Sequence, residues 1–224
     1  MTRPRALIFD FDGTLADSLG WVRDNWNPAA RRFGVRPVDP ETFEQLRSCH
    51  SLEIMQRLKV PHWKIPLLAA YLRHQFRRDC AHIALFEGVA PMLRQLKAEG
   101  YQLAMVSSNT EANIRTVFGP DLSGCISLWA CGASVFGKRP KFRKVLKDLN
   151  LSPDQVVSIG DEVRDIEAAK AEGIRCAAVA WGYACPELLA AHKPDLSFSR
   201  LEDLRAWLCP TGVDVSNPAM VRED

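Results

Sequence analysis

The chain has 224 residues, of which 47% are hydrophobic and 25% charged, as is usual for one globular domain with or without a small insert. Its 29 basic and 27 acidic side chains leave a formal net charge of +2, too small for an electrostatic nucleic-acid binder. The longest apolar run, near Ala177–Trp181, is far shorter than the ~20 residues of a membrane span. We therefore expect neither nucleic acid nor a membrane as a partner.

The N-terminus and the cysteines both indicate a cytoplasmic location. Residues 1–10 lack the long apolar core and the small-residue cleavage site of a secretory signal. The seven cysteines are odd in number and have no C-x-x-C spacing, which favours free thiols in a reducing compartment.

Short apolar runs separated by helical patterns predict an α/β protein with a Rossmann-like parallel sheet flanked by helices. Runs that are apolar on both faces are typical of strands covered by helices on both sides. Strands that alternate with helices predict parallel pairing through right-handed crossovers. The predicted strands are Ala6–Phe9, Leu103–Val106, Ile126–Trp129, Val156–Ile159 and Cys176–Ala180.

One interval, from Leu19 to Phe86, shows helical patterns only and predicts an inserted all-helical domain. Its expected helices are Leu19–Phe33, Pro40–Arg47, Ser51–Lys59 and Trp63–Cys80. We thus predict a core of residues 1–18 and 87–209 and an insert of residues 19–86. The tail, residues 210–224, has two prolines and little periodicity, and is predicted to be disordered.

Further helices are expected after the insert and around the fourth strand. They cover Met92–Ala98, Lys141–Asn150 and a stretch from Asp165 that ends at Gly173. The segment Ser152–Gln155 resembles a capping box with proline at its first helical position, which predicts a short turn before the fourth strand.

Carboxylates follow two of the predicted strands. Asp10 and Asp12 follow the first strand, and Gly13 supplies a turn that lets both face one site. Asp161 follows the fourth strand. Ligands of open α/β sheets bind beyond the carboxyl ends of strands, so these three acids are expected to converge if both strands are central. Clustered oxygen ligands with room for water favour Mg²⁺.

Small polar residues and one lysine complete the predicted site. The second strand ends in Ser107, Ser108 and Asn109, whose backbone amides are suited to holding phosphate oxygens. Lys138 follows the third strand and can bring the positive charge that balances the acids.

Four motifs in this order resemble the haloacid dehalogenase superfamily of hydrolases, in the phosphoglycolate-phosphatase-like branch with a helical cap of the C1 type. The D-x-D-G-T motif is Asp10–Thr14, and the second motif is the strand that ends in Ser107. The third is Lys138 before a helix, and the fourth, G-D-x-x-x-D, is Gly160–Asp165. The resemblance covers roughly residues 5–208.

The resemblance implies a phosphatase mechanism with an aspartyl-phosphate intermediate. Asp10 attacks phosphorus, and as a carboxylate it is already ionised at neutral pH. Asp12 protonates the leaving group and then takes a proton from water, which requires a raised pKa. The residues implied to bind the phosphoryl group or order its loop are Thr14, Ser107, Ser108 and Asn109.

The resemblance also implies a Mg²⁺ ion as cofactor and a small phosphorylated metabolite as substrate. The implied metal ligands are Asp10, the backbone carbonyl of Asp12, and Asp161, with Asp165 acting through water or orienting Lys138. Two alternatives stay open at this stage. Asp165 can be a helix cap only. Arg139 can supply the positive charge in place of Lys138, because the sequence Lys-Arg-Pro-Lys stands where this branch usually has Lys-Pro-x-Pro.

The insert has the position of a cap that closes over the active site and contacts the leaving group. Candidate residues for this contact are Arg47 and His50, with Trp21, Asn25 and Trp26, although a surface position or a place in the cap core explains each as well. Asp17 and Ser18 are interpreted as a helix cap. Nothing in the sequence identifies the substrate or the oligomeric state.

Four other functions are considered beside the phosphatase. A phosphomutase shares Asp10 and Asp12 and differs in how its cap excludes water, whereas a dehalogenase needs no acid at position 12. A signalling receiver domain phosphorylates an aspartate after its third strand and has no helical insert. A binding protein without activity is disfavoured because all motif positions are filled.

Overall fold

A six-stranded parallel sheet forms the centre of the computed structural model, which describes residues 3–133 and 137–210. The strands are β1 (Ala6–Phe9), β2 (Gln102–Val106), β3 (Leu128–Ala130), β4 (Val156–Gly160), β5 (Arg175–Val179) and β6 (Leu196–Phe198). Their order, β3-β2-β1-β4-β5-β6, is that of a doubly wound Rossmann fold. The predicted fold class is confirmed.

The five predicted strands are present, β1 with the predicted ends and the other four with shifted ends, and β6 was not predicted. The predicted third strand began at Ile126, but this residue caps the preceding helix, its N–H donating to the Ser123 carbonyl. The strand therefore begins at Leu128. The edge strand β6 has three residues and no fully buried side chain, so it lacks the apolar run that marks the others.

Helices cover both faces of the sheet. Five lie between β1 and β2, namely α1 (Leu19–Phe33), α2 (Pro40–Leu46), α3 (Ser51–Arg57), α4 (Ile65–Asp79) and α5 (Val89–Ala98). The other helices in the described part of the chain are α6 (Glu111–Cys125), α7 (Arg139–Leu149), α8 (Val163–Ala171), α9 (Pro186–Ala191) and α10 (Leu201–Leu208). Helices α5, α6 and α10 pack on one face and α7, α8 and α9 on the other.

Alternation along the strands builds both apolar layers at once. In β1, Leu7 and Phe9 join the layer with α5 and α6, whereas Ala6 and Ile8 join the layer with α7 and α8. Helices α6, α9 and α10 were not predicted. In α6 the helical pattern is interrupted by a kink at Gly119, where φ is +67°.

The inserted helices α1–α4 have an apolar cluster of their own, around Trp26 and Leu68. Helix α1 ends at Gly34, which adopts the left-handed conformation expected of a terminating glycine. Asp39 caps α2 by accepting a hydrogen bond from Thr42 N–H. The predicted helix 63–80 is α4 flanked by two 3₁₀ turns. The division into a core domain and an insert domain stays a prediction.

Other expectations can be compared directly with the described residues. The capping box at Ser152–Gln155 is present, and the seven cysteines are free thiols. No helix in residues 3–133 and 137–210 is long and apolar enough to cross a membrane. Apart from Pro210, the tail predicted to be disordered lies outside the described residues. The cytoplasmic location stays a prediction.

Candidate active site

The ends of β1 and β4 lie side by side and bring Asp10 and Asp161 together. The two strands pair in parallel, with Phe9 opposite Ile159. The Asp10 N–H continues this pairing by donating to the Ile159 carbonyl at 3.0 Å. Both acids are almost fully buried. The strand-end convergence expected from the sequence is therefore present.

Gly13 lets the loop after β1 pass directly over Asp161. Its φ is +76°, and a Cβ at this position would lie 2.2 Å from Asp161 Oδ2. The neighbouring Thr14 hydroxyl donates to Asp161 Oδ1 at 2.6 Å, and the Tyr183 N–H donates to Oδ2 at 2.7 Å. Burial, followed by the charge of Asp10, raises the pKa of Asp161 well above its usual value.

Lys138 lies between two buried carboxylates. Its ammonium is 2.5 Å from Asp10 Oδ2 and also contacts Asp165 Oδ1. Burial opposes its protonation, but the charges of the two acids prevail and raise the pKa of Lys138. For Asp165, burial outweighs the effect of the lysine and raises the pKa to about 6.

The structure also distinguishes the two candidate cations at the start of α7. Arg139 is exposed and points away from the site, with its Nε 2.5 Å from Glu172 Oε1. Lys138 is therefore the one that faces Asp10. Asp165 combines both roles considered for it, because its Oδ1 contacts Lys138 while its Oδ2 caps α8 by accepting a hydrogen bond from Glu162 N–H.

Asp12 occupies a different environment from the other acids. Its Oδ1 accepts a hydrogen bond from the Ser18 hydroxyl at 3.0 Å, and its Oδ2 accepts one from Asn109 Nδ2 at 3.1 Å. The residue as a whole is partly buried. Desolvation, followed by the charge of Asp10, raises the pKa of Asp12 to about 6.

The residues after β2 form the opposite wall of the site. Ser107 is buried, and its Oγ accepts a hydrogen bond from Asn109 N–H at 3.1 Å. The Asn109 side chain is held by Asn113, whose Nδ2 donates to Asn109 Oδ1 at 2.9 Å. Ser108 lines the same cavity as Asp12. The predicted phosphate-binding residues therefore lie beside the predicted acid.

The three acids Asp10, Asp161 and Asp165 form a cluster that fits a Mg²⁺ ion. One carboxylate oxygen of each lies within 4.8 Å of the others, and all three residues are buried. Beyond its ion pair with Lys138, Asp10 Oδ2 accepts no hydrogen bond among the described residues. Oxygen-only ligands suit Mg²⁺ rather than a softer metal. The Asp12 carboxylate is not a member of the cluster, so its predicted contribution through the backbone carbonyl stays a prediction.

Four residues near the site were not predicted to belong to it. Ser18 immediately precedes α1 but its side chain does not cap the helix, because its hydroxyl bonds to Asp12 and to the Tyr183 hydroxyl at 2.8 Å. Arg73 of α4 and Arg164 of α8 line a cavity of about 190 Å³ with Asp12 and Tyr183. Of these, only Ser18 was noticed in the sequence, and it was interpreted as a helix cap.

The insert residues proposed to contact the leaving group have other partners. Arg47 donates to the backbone carbonyls of Tyr183 at 3.1 Å and Gly182 at 3.2 Å. Trp26 is buried in the apolar cluster of the insert. Trp21 lines the cavity while its indole donates to Asp79 at 2.8 Å. Asn25 Nδ2 donates to the Trp21 carbonyl.

Comparisons with known proteins agree on one family. The sequence profile described as haloacid dehalogenase-like hydrolase matches residues 7–179. A phosphoglycolate phosphatase of Synechococcus elongatus is 34% identical over 201 residues, covering 89% of this chain and 95% of its own length. A haloacid dehalogenase-like hydrolase from Streptococcus pneumoniae superposes with a TM-score of 0.78 at 20% identity, covering 93% of this chain and 100% of its own. CbbY of Rhodobacter sphaeroides, in complex with phosphate, has a TM-score of 0.71 at 25% identity and coverages of 90% and 96%.

Proposed function

Because the chain belongs to the haloacid dehalogenase-like hydrolases and is a phosphoric monoester hydrolase of the phosphoglycolate phosphatase type, we propose that it hydrolyses a small phosphomonoester. The proposed reaction proceeds through a phosphorylated Asp10, with Mg²⁺ as the cofactor. The single observation that supports this most strongly is the buried cluster of Asp10, Asp161 and Asp165, with Lys138 against Asp10. The resemblance inferred from the four motifs is confirmed.

Asp10 is the proposed nucleophile. Its Oδ1 accepts a hydrogen bond from Phe11 N–H at 2.8 Å, which fixes the carboxylate, while Oδ2 faces the Lys138 ammonium. Oδ2 forms a bond to phosphorus as the bond from phosphorus to the leaving oxygen breaks. The contact with Lys138 places a positive charge directly beside the attacking carboxylate. Water then releases phosphate from Asp10 in a second displacement.

Asp12 is the proposed general acid and base. A pKa of about 6 leaves a protonated fraction near neutral pH, which a carboxyl of ordinary pKa lacks. The protonated form gives its proton to the leaving alkoxide, and the resulting carboxylate takes a proton from the attacking water. The hydrogen bonds from Ser18 and Asn109 hold the carboxyl in place for both steps.

The remaining predicted residues hold charge and position. Mg²⁺, when bound, supplies positive charge that offsets the repulsion between phosphate and carboxylate. Asp10, Asp161 and the Asp12 carbonyl would hold it, with support from Asp165. The residues proposed to bind the phosphoryl oxygens are Ser107, Ser108 and Asn109. Thr14 orders Asp161 through its 2.6 Å hydrogen bond.

The direct test is a panel of phosphomonoesters assayed with Mg²⁺ added or chelated. We expect release of free phosphate from at least one member, loss of that release on chelation, and its return on adding Mg²⁺. An isomerised sugar phosphate without free phosphate would instead identify a phosphomutase. Metal-independent hydrolysis, or none across the panel, would count against the proposal.

The cavity beside Asp12 supports a leaving group that carries its own negative charge. Arg73 lines this cavity, and its guanidinium makes no ion pair or hydrogen bond within residues 3–133 and 137–210. Arg164 Nε is buried in the same region without a hydrogen-bond partner. Desolvation lowers the pKa of Arg73, and an anion in the cavity would relieve that cost. We therefore propose a carboxylate or second phosphate on the leaving group.

Replacing Arg73 with alanine is expected to raise KM about tenfold or more for a phosphomonoester with a carboxylated leaving group, because a charged hydrogen bond is lost. The change for p-nitrophenyl phosphate should be less than about twofold, since its leaving group has no anion to bind. Steady-state kinetics on both substrates measure this difference. Arg77→Ala, at an exposed position one turn along α4, is the matched control. Equal losses on both substrates would contradict the proposed contact.

We further propose that residues 19–86 act as a cap over this cavity. The contacts of Arg47 with the 182–183 backbone and of Ser51 with Glu162, at 3.4 Å, join the insert to the two loops beside Asp161. Closure here would exclude water, which would otherwise compete with Asp10 in the attack on phosphorus.

A further inference from the structure

Three side chains from separate parts of the chain meet where the insert touches the sheet domain. His50 immediately precedes α3, Glu167 lies on α8, and His192 immediately follows α9. One potential ligand atom of each residue lies within 4.8 Å of the other two. This cluster, called here the His–Glu cluster, shares no residue with the group of acids around Asp10.

The hydrogen bonding of His192 leaves a ring nitrogen free for a metal. Its Nδ1 lies 2.8 Å from the Leu188 carbonyl oxygen. A carbonyl only accepts, so Nδ1 carries the proton and Nε2 keeps its lone pair. Histidines that bind metals are commonly oriented by such a bond from the second ring nitrogen. The ring is thus already in the tautomer that a metal requires.

The second histidine is close enough to share an ion with the first. The ring centroids of His50 and His192 are 4.6 Å apart, with an interplanar angle of 75°. Both rings are partly exposed and Glu167 is exposed, so small rotations of the side chains are possible without disturbing the core. Tetrahedral zinc bonds of about 2.0–2.2 Å place ligand atoms about 3.4 Å apart, within reach of such rotations.

The backbone that carries the cluster is held on both sides. The Cys185 N–H, at the start of α9, donates to the Arg47 carbonyl at 2.9 Å. The Ser51 hydroxyl donates to Glu162, close to the start of α8. His50 lies between Arg47 and Ser51, so the turn that carries it is fixed against the two helices that carry Glu167 and His192.

We propose that His50, Glu167 and His192 bind a divalent transition-metal ion of the zinc class and so link the insert to α8 and α9. Two imidazole nitrogens and one carboxylate oxygen are a ligand set that prefers zinc to Mg²⁺. Three protein ligands leave a coordination position for water. The ion would be distinct from the proposed Mg²⁺, which has oxygen ligands only.

The test measures how much zinc the full-length protein binds. The protein is dialysed against a series of zinc concentrations in saturating Mg²⁺, and the bound zinc per chain is then determined by elemental mass spectrometry. Wild type is expected to hold one more zinc per chain than His192→Gln and Glu167→Gln, in which affinity falls about 100-fold or more because a ligand is lost. His62→Gln, at an exposed position on the same insert, is the matched control and should bind as wild type does.

A second readout separates the ligands from a general loss of structure. Cobalt bound in place of zinc should give a visible absorption band with wild type and His62→Gln that is absent from His192→Gln. Phosphatase activity with Mg²⁺ alone should be unchanged in His192→Gln. Equal zinc stoichiometry and affinity in wild type and His192→Gln would overturn the proposal. The count of bound metal does not depend on activity, so it stands apart from the proposed function.

Discussion

Asp10→Asn is expected to lower kcat by at least about 10⁴-fold, since an amide of the same shape is a poor nucleophile and no other group takes its place. The substitution leaves Lys138 paired with Asp165, so the fold is expected to persist. Steady-state and single-turnover assays with Mg²⁺ measure the loss, and circular dichroism with thermal unfolding checks the fold.

Asp17→Asn is the matched control for that substitution. Asp17 lies in the same loop and is exposed, so it should keep activity close to that of wild type. Residual activity of Asp10→Asn above about 1% of wild type, with no reversion to aspartate by deamidation, would contradict the assignment of the nucleophile.

Lys138→Met is expected to lower the free energy of unfolding by about 3–5 kcal/mol, because it leaves the Asp10 and Asp165 carboxylates buried without their cation. The pKa of Asp165 is already raised to about 6, so protonation neutralises this carboxyl as the pH falls. The loss should therefore be smaller at pH 5 than at pH 8. Urea unfolding at both pH values, without metal, measures it.

Lys147→Met tests whether any lost lysine on α7 has this effect. Lys147 is exposed near the end of the helix and should change the free energy of unfolding by less than about 0.5 kcal/mol. A Lys138→Met protein within about 1 kcal/mol of wild type at pH 8 would show that the two acids do not depend on this cation.

The parts of the site that could be predicted lie at the ends of apolar strands. Asp10 and Asp161 follow β1 and β4, which are neighbours in the sheet, and parallel strands bring their carboxyl ends to one edge. Strand periodicity therefore predicts that each acid follows a strand, and the pairing of β1 with β4 in the structure brings Asp10 and Asp161 together. The same reasoning could not choose between Lys138 and Arg139. They are neighbours at the start of a helix, and which side chain faces the site depends on how that helix packs on the sheet.

The parts that could not be predicted depend on how distant segments pack. Ser18 has the position of a helix cap, and its bond to Asp12 exists only because the loop folds back over the site. Arg73 enters the cavity through the docking of α4, which no local pattern specifies. His50 and His192 are far apart in the sequence and meet only where the insert contacts α9.

The secondary structure shows the same limit. Helix α6 has an interrupted pattern at Gly119, and the three-residue strand β6 is too short and too exposed to show a period. Both elements are fixed by packing, α6 against the apolar face shared with α5, and β6 by pairing with β5.

The central claim is that the phosphoryl group is transferred first to Asp10 and only then to water. It is tested most directly by stereochemistry at phosphorus. A substrate made chiral with oxygen isotopes in a thiophosphoryl group is hydrolysed in isotopically labelled water, and the configuration of the released thiophosphate is determined. Each in-line displacement inverts phosphorus. Two displacements predict net retention of configuration, whereas net inversion would mean that water attacks the substrate directly and would contradict the account.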